Sequence, residues 1–300
     1  MDQHEQAPID VVVVSYRSRS ELRACVEGLA GRDALDVVVV DNASDDGSLQ
    51  AIEDLPVKGI ALPDNRGFAA ACNEGWRAGS GRYVLFVNPD ALIDGEAIAV
   101  LAGVLDADPS VAIAAPKIET DDGSLDLSQR RFPTLRSTYA HALFLHRLFP
   151  RAAWASELVR DPAAYGEPRS PDWASGACLL VRRSVLEELG GWDDGFFMYC
   201  EDKDLCRRAR DAGYDVRFEP RAVARHVGGA SAPRASLAHV LARSRVRYAR
   251  KHRSPLAAEL ERVGIGLTAF THLFASRGGR AARAGHAAAL RAVLRPLRAL

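Results

Sequence analysis

Ile9 to Val14, interrupted only by Asp10, and Val37 to Val40 are runs rich in β-branched residues. Runs without a polar face are how strands covered on both sides of a parallel sheet read. Between them Leu22, Val26 and Leu29 recur at helical spacing, with Ser18 or Ser20 placed to cap the start and Gly31 to stop it. Strand, helix, strand within about thirty residues predicts a βαβ unit with a right-handed crossover. The rhythm then repeats. Gly59 to Leu62 reads as a strand, Ala69 to Ala78 as a helix, Tyr83 to Val87 as a strand, Glu96 to Ala107 as a helix and Val111 to Pro116 as a short strand. From Lys117 to about Pro171 the period is lost, apart from a helical stretch near Ser137 to Leu148, and an irregular connection of that length more often serves binding than nothing. Order returns with a strand at Ala177 to Val181, a helix at Arg183 to Leu189 ended by Gly190-Gly191, a helix at Asp202 to Ala212 closed by Gly213, and short strands at Val216 to Phe218 and Val223 to His226. Beyond Ser236 the chain is rich in Arg, Ala and Leu and helical in pattern; no internal repeat is present.

Composition changes this picture in two places. The 300 residues are 48% apolar, enough for a sizeable core. Formal charge is zero, but Arg221 to Leu300 holds 16 Lys/Arg and 2 acidic residues, leaving 23 basic and 37 acidic before it. A strongly basic tail therefore follows an acidic body. Arginines interleaved with apolar residues in "LARSRVRYARKH" and "LRAVLRPLRAL" suit two outcomes equally. One is a helix lying on an anionic bilayer, where each Lys/Arg contributes about 1 kcal/mol; the other is a face packed on the acidic body. Nucleic acid is not the expected partner, because the body is acidic and no reading module is present. The longest apolar stretch of the tail, Val263 to Ala275, contains a histidine and is about 13 residues, against roughly 20 for a membrane span. Five cysteines without CxxC spacing argue against a disulfide framework and suit a reducing compartment. The polar, acidic start "MDQHEQAPID" carries no secretory pattern, so a cytoplasmic location is expected.

In open α/β sheets ligands bind beyond the carboxyl ends of the strands. The polar residues there are Ser15-Tyr16, Asp41-Asn42-Ala43-Ser44, Asp64-Asn65-Arg66-Gly67 and Asn88-Pro89-Asp90. Any one of them reads equally well as a cap or turn; four on one rim, with carboxylates and amides among them, point to a site. Neither GxxxxGK[ST] nor GxGxxG follows a strand, so nucleotide phosphates would need another partner, and a divalent cation held by Asp90 supplies one. A second group lies in "GGWDDGFFMYCEDKD", where Trp192, Phe196, Phe197 and Tyr199 precede Glu201-Asp202. Aromatic neighbours raise a carboxylate's pKa and suit it to general-base work, whereas Asp204 reads as a helix-start cap. A third is "ARHVGGAS", in which His226 gains meaning only if it faces Asp90, and two glycines permit close backbone approach to a ligand.

Taken in order, "VVVVSY", "VVVVDNASDDGS", "DNRGFAAACNEG", "VLFVNPDALI", "GACLLVRRSVLEELGGWDDGFFMYCEDKDLCRRARDAG" and "ARHVGGAS" resemble the family-two inverting glycosyltransferases, and within them the bacterial rhamnosyltransferases of cell-wall and O-antigen assembly. The resemblance spans about residues 9 to 235. It implies a GT-A fold, an α/β domain on a mostly parallel Rossmann-like sheet, here followed by a C-terminal helical extension. Residues 1–118 would form the nucleotide-sugar half, 119–235 the acceptor and catalytic half, and 236–300 the basic tail. By the same resemblance Ser15, Tyr16 and Asp41 line the nucleobase and ribose pocket, and Asn65 and Gly67 shape its floor. Asn88-Pro89-Asp90 stands for the family's DxD metal motif with Asn88 in place of the first Asp; Asp90 and His226 would hold Mg2+ or Mn2+. Asp202 is the implied base with Glu201 in support, Trp192 and Asp193 face the acceptor, and Arg130 and Arg131 contact pyrophosphate or acceptor. The implied partners are a nucleotide diphosphosugar, dTDP-rhamnose foremost but a hexose or galactofuranose donor also in keeping, and a glycan or lipid-linked glycan acceptor. Attachment to the inner face of the cell membrane fits such an acceptor. A nucleotide-sugar-binding protein without turnover is the alternative.

Overall fold

The computed structural model describes residues 9–226, 235–275 and 279–295. Ten strands and ten helices alternate through them. β1 (Ile9–Ser15), β2 (Leu35–Asp41), β3 (Lys58–Ala61), β4 (Tyr83–Val87), β5 (Ala91–Ile93), β6 (Val111–Thr120), β9 (Cys178–Arg182) and β10 (Asp215–His226) make one sheet in the order β3-β2-β1-β4-β9-β6-β10-β5. The pair β7 (Gln129–Arg130) and β8 (Trp173–Ala174) forms a separate two-stranded sheet. The helices of the body are α1 (Arg19–Glu27), α2 (Phe68–Arg77), α3 (Gly95–Ala107), α4 (Leu135–Ala142), α5 (Leu145–Leu148), α6 (Arg183–Leu189) and α7 (Glu201–Asp211).

The valine runs behave as two-sided strands. Val11, Val13, Val37, Val39, Leu85 and Val87 face one core with α1 and α3, while Val12, Val14, Val38, Val40, Val84 and Phe86 face the other with α2, α6 and α7. Alternation of side chains across a strand gives each layer one of these sets. Phe86 and Phe68 meet Trp192 edge-on at 4.9 and 5.9 Å between ring centres, a geometry worth roughly 0.5–1.5 kcal/mol per pair beyond the area buried. All five cysteines are free and buried.

Two strand assignments differ from the sequence expectation. The stretches at 216 and 223 are one strand, β10, broken in register between Glu219 and Val223. Pro220 lies in that gap and has no N–H to give the ladder. The Ala91-Leu92-Ile93 end of the run "VLFVNPDALI" is a strand of its own, turned back to pair antiparallel with β10. The division expected at residue 118 falls inside β6, so both halves share one sheet.

Strand directions set the site. β1, β2 and β4 run parallel, with Ser15 beside Asp41 and Val13 beside Val87, so their carboxyl ends share one rim. β9 runs against both β4 and β6, which brings its amino end, Cys178, to Val87 on the same rim. β10 parallels β6 and ends there at His226, opposite Ala91 of β5. Val87, Cys178 and His226 thus lie along one rim of the sheet although the chain separates them widely.

The basic tail forms α8 (Ala238–His252), α9 (Pro255–Ala275) and α10 (Gly279–Leu294), which share a small core of Ala242, Val246, Ile265, Ala269, Ala289 and Val293. Of the two outcomes open for the tail arginines, α8 takes the packed one. Arg245 pairs with Glu157 and Glu261, Arg247 with Asp193, and Lys251 with Asp193 and Asp204, while Ser244 donates to the Met198 carbonyl. Excess negative charge on the body is thereby met by excess positive charge on the tail.

Candidate active site

The Asn88–Asp90 turn is held from both sides. The Asn88 N–H donates to the Ala177 carbonyl at 2.9 Å, and the Asn88 carbonyl accepts from the Ala91 N–H at 3.0 Å. Asp90, 6% exposed, lies with Oδ1 3.1 Å from His226 Nε2. On the other side of the ring, Asp126 Oδ2 is 3.8 Å from His226 Nδ1. Hydrogen bonding to Asp126 and Asp90 outweighs burial and raises the imidazole to about 9. Two carboxylates around one imidazole form a site that gathers positive charge, and a mixed oxygen and nitrogen donor set suits a divalent cation of the Mg2+ or Mn2+ kind. Asp90 and His226, predicted as ligands, are therefore brought together. Asp126 was not foreseen, because it lies in the stretch without periodicity. Gly228 and Gly229 fall outside the described residues.

Asp202 is the second residue of α7, two after Cys200. Its Oδ2 accepts from the Gly176 N–H at 2.9 Å and its Oδ1 from the Lys203 N–H at 2.7 Å. Burial raises its pKa against the lowering effect of these N–H groups, Lys203 and Arg130. Glu201 beside it is more deeply enclosed, with Oε2 unpaired, and burial with the neighbouring Asp202 charge raises it well above the carboxylate range. A half-exposed carboxylate with a raised pKa is fitted to accept a proton; the enclosed Glu201 is not placed to meet a substrate. Gly176 adjoins Ala177, so one short loop bonds Asp202 on one side and the Asn88–Asp90 turn on the other. A Cβ at Gly176 would stand 3.1 Å from the Asp202 Cβ, which explains the glycine. Arg130 completes this side. Its guanidinium lies over Trp173 at 5.7 Å with Nε unpaired.

On the nucleotide side the outcome is mixed. Asp41 is buried; Oδ2 accepts from the Ser44 N–H at 3.0 Å and Oδ1 has no partner, leaving an acceptor for a ligand. Tyr16 stands 44% exposed at the rim. Ser15 is fully buried and its hydroxyl is engaged with Ser18 at 2.9 Å, so it supports the rim rather than lining it. Asn65 Oδ1 accepts from the Gly67 N–H, and Gly67, at φ 88°, lies so close to Phe197 that a Cβ would overlap its carbonyl. The Phe68 N–H donates to that same carbonyl at 2.8 Å. The floor of the predicted nucleotide pocket is thus joined to the loop that delivers Asp202. Asn42 stitches the same region, donating to the Gly67 carbonyl and accepting from the Arg66 N–H.

Four residues singled out in the sequence meet partners within the protein. Trp192 is 2% exposed, packed on Phe86 and Phe68, and its side chain does not face an acceptor. Asp193 is engaged by Arg247 and Lys251 of α8. Arg131 donates to the Leu158 carbonyl within its own loop. Asp204, read as a cap, instead binds Arg208, Lys251 and His252. Asn73 was missed altogether. Its amide oxygen accepts from the Trp192 and Trp76 N–H groups and its nitrogen donates to the Trp192 carbonyl, which pins the aromatic loop to α2. A polar residue on the buried face of an otherwise apolar helix was the available signal.

Backbone strain marks the same loops. Arg17, Ala43, Tyr199 and Cys200 all have positive φ without being glycine, and such residues cost of order 1–3 kcal/mol each and cluster where function holds them.

Residues 10–190 match the family described as Glycosyl transferase family 2. The chain is 31% identical over 255 residues to an N-acetylglucosaminyl-diphospho-decaprenol L-rhamnosyltransferase of Mycobacterium tuberculosis, which covers 80% of this chain and 82% of that one. It is 26% identical over 221 residues to rhamnosyltransferase WbbL of Escherichia coli, covering 70% and 80% respectively. Among solved structures, the mannosyltransferase of Pyrobaculum calidifontis in complex with GDP-Man and Mn2+ superposes with a TM-score of 0.58 at 20% identity, over 97% of this chain and 87% of that one. TarS of S. aureus with UDP-GlcNAc follows at a TM-score of 0.53 and 18% identity, over 91% and 74%. At these identities the structural likeness is one of fold.

Proposed function

Since this chain belongs to glycosyl transferase family 2, we propose that it inverts the anomeric centre as it moves rhamnose from dTDP-rhamnose to a lipid-linked, N-acetylglucosamine-containing acceptor of cell-wall or polysaccharide assembly. Its fold is the GT-A fold of nucleotide-sugar transferases. The choice of rhamnose and of a lipid-linked acceptor is supported by the similarity to the mycobacterial and WbbL rhamnosyltransferases. The observation that carries the catalytic reading is the loop at 176–178. It bonds Asp202 through Gly176 and the Asp90 turn through Ala177, so that the Asp202 carboxylate and the Asp90–His226 pair are tied to one short loop.

In this reading the acceptor hydroxyl gives its proton to Asp202 as its oxygen attacks the anomeric carbon from the face opposite the nucleotide. The bond from that carbon to the diphosphate oxygen breaks, and the diphosphate departs with the electron pair. Asp41 accepts from the nucleoside and Arg130 stands by for the diphosphate or the acceptor. Asp90, His226 and Asp126 would hold a divalent cation, which when bound supplies charge stabilisation for the leaving diphosphate. Removing the cation with EDTA is expected to abolish transfer, and Mn2+ or Mg2+ to restore it. Asp90→Ala is expected to reduce activity by more than the roughly 10–100-fold that loss of an outer-shell partner costs. Full activity after both treatments would remove the cation from the reaction.

Peripheral attachment to an anionic bilayer belongs to the same reading, and the structure shifts its support from arginines to α9. Leu256, Leu260, Val263, Phe270 and Phe274 recur along one stripe of that helix and are 41–73% exposed. No helix among the described residues is long and apolar enough to cross a membrane. The full chain is expected to float with phosphatidylglycerol vesicles, and Phe270→Ser with Phe274→Ser to float far less. Equal flotation of both would exclude the stripe as the contact.

A further inference from the structure

Away from the rim, three histidines from three helices meet on the seam between the body and the C-terminal bundle. His141 ends α4, His146 lies in α5 and His272 in α9; one nitrogen from each falls within 4.8 Å of the others. The His146 and His272 ring centres lie 4.2 and 5.0 Å from that of His141 and 6.4 Å from each other, and His286 of α10 stands 5.6 Å from His272. We propose that His141, His146 and His272, with His286 adjacent, form a second metal site that takes a borderline transition ion such as Zn2+ and clips the C-terminal helices to the catalytic body.

Two observations point this way. First, Nδ1 of His141 and Nδ1 of His146 are enclosed and have no hydrogen-bond partner. Buried polar atoms are ordinarily paired, and two such orphans in one cluster call for a ligand. Second, His272 Nδ1 lies 2.9 Å from the Thr268 carbonyl, which can only accept. That bond puts the proton on Nδ1 and leaves Nε2 with a free lone pair, the arrangement by which backbone carbonyls orient metal-binding imidazoles.

The donor set separates this site from the rim. Imidazole nitrogens alone suit Zn2+, Ni2+ or Cu2+ and not Mg2+, whereas Asp90 and Asp126 offer hard oxygens. The rings now stack within 9° of parallel. Since a lone pair lies in its ring plane, ligation must turn at least two rings out of the stack. The helices already meet here, with Thr271 donating to the Ala142 carbonyl at 2.8 Å, so the ion would reinforce an existing contact. None of this rests on the reaction proposed above.

Metal-free full-length protein titrated with Co2+ reads the site optically, because four-coordinate cobalt absorbs visibly and octahedral cobalt only weakly. One strongly absorbing equivalent is expected, displaced by Zn2+ and not by Mg2+, retained in Asp90→Ala and lost in His146→Ala. Zn2+ should also raise the melting temperature of the wild type and not of His146→Ala. His146 is half-buried on a single-turn helix with Nδ1 unbonded, so its truncation leaves the fold in place; His146→Gln, which keeps the bulk, serves as the second variant. Absence of the band, its survival in both His146 variants, or its loss in Asp90→Ala would each overturn the proposal.

Discussion

Asp202→Asn is expected to lower transfer by about two to four orders of magnitude, the usual worth of a general base, while donor binding persists. The substitution is isosteric, and an amide oxygen can still accept the Gly176 N–H that holds the side chain at the end of α7. What is lost is the ability to take a proton. Binding should therefore survive in a thermal-shift measurement with dTDP-rhamnose, and turnover should not. The pH profile adds a signature that misfolding would not produce. Burial raises the Asp202 pKa, and a base works only when deprotonated. In the wild type kcat/KM should climb with pH through a value above that of an ordinary aspartate, and in Asp202→Asn the residual rate should lack that limb. A variant that turns over at the wild-type rate would remove Asp202 from the role.

Two residues along the same helix, Asp204→Ala is expected to act on stability instead, by about 3–5 kcal/mol, the cost of breaking a buried ion pair on one side. The Asp204 side chain is wholly buried and bonded to Arg208 at 2.7 Å, Lys251 at 2.8 Å and His252 at 2.7 Å. Its removal leaves the largely enclosed Arg208 without a counter-charge and takes from α8 the bonds of Lys251 and His252 to the body. Burial by itself would raise this carboxyl, but bonds from His252, Arg208 and Lys251 bring it down to about 2. A folded-state pKa below the unfolded one, about 3.9, contributes stability that is complete above the unfolded value. That contribution is lost as pH falls through 4 towards about 2. Urea melts of wild type and variant should therefore differ most at neutral pH and converge in acid. A constant gap across that range would assign the effect to packing and not to charge.

These neighbours show how far local pattern reaches. "CEDKD" offers three acidic residues in the first turn of a helix, and by helix-dipole reasoning all three are alike. Glu201 is enclosed with Oε2 unpaired, Asp202 meets the 176–178 loop, and Asp204 meets the tail. Each fate depends on what packs there from some other part of the chain. The same holds for the aromatics. The family resemblance implied that Trp192 faces the acceptor, yet its ring fills the space over Phe86.

Period and composition were enough for most elements. β4 and α6 fall on the expected residues, since uninterrupted apolar runs and glycine stops are local properties. The four polar clusters at strand ends were also legible, because strands joined by crossovers run parallel and must end on one edge. Asp126 and Glu157 were not, since residues 117–171 hold their shape through distant partners such as Lys203, Arg245 and His226.

By itself, then, the amino-acid order determined a parallel α/β core, a rim carrying Asp41, Asn65, Asn88 and Asp90, and a basic helical tail. Only the tertiary structure decided that β9 runs against its neighbours and that β5 folds back on β10. Those two reversals put Gly176 beside Asp202 and His226 beside Asp90. Hydrophobic period reports which residues are buried and is blind to strand direction. Direction and register are settled by pairing between segments far apart in the chain, and a site assembled from such segments exists only once they have paired.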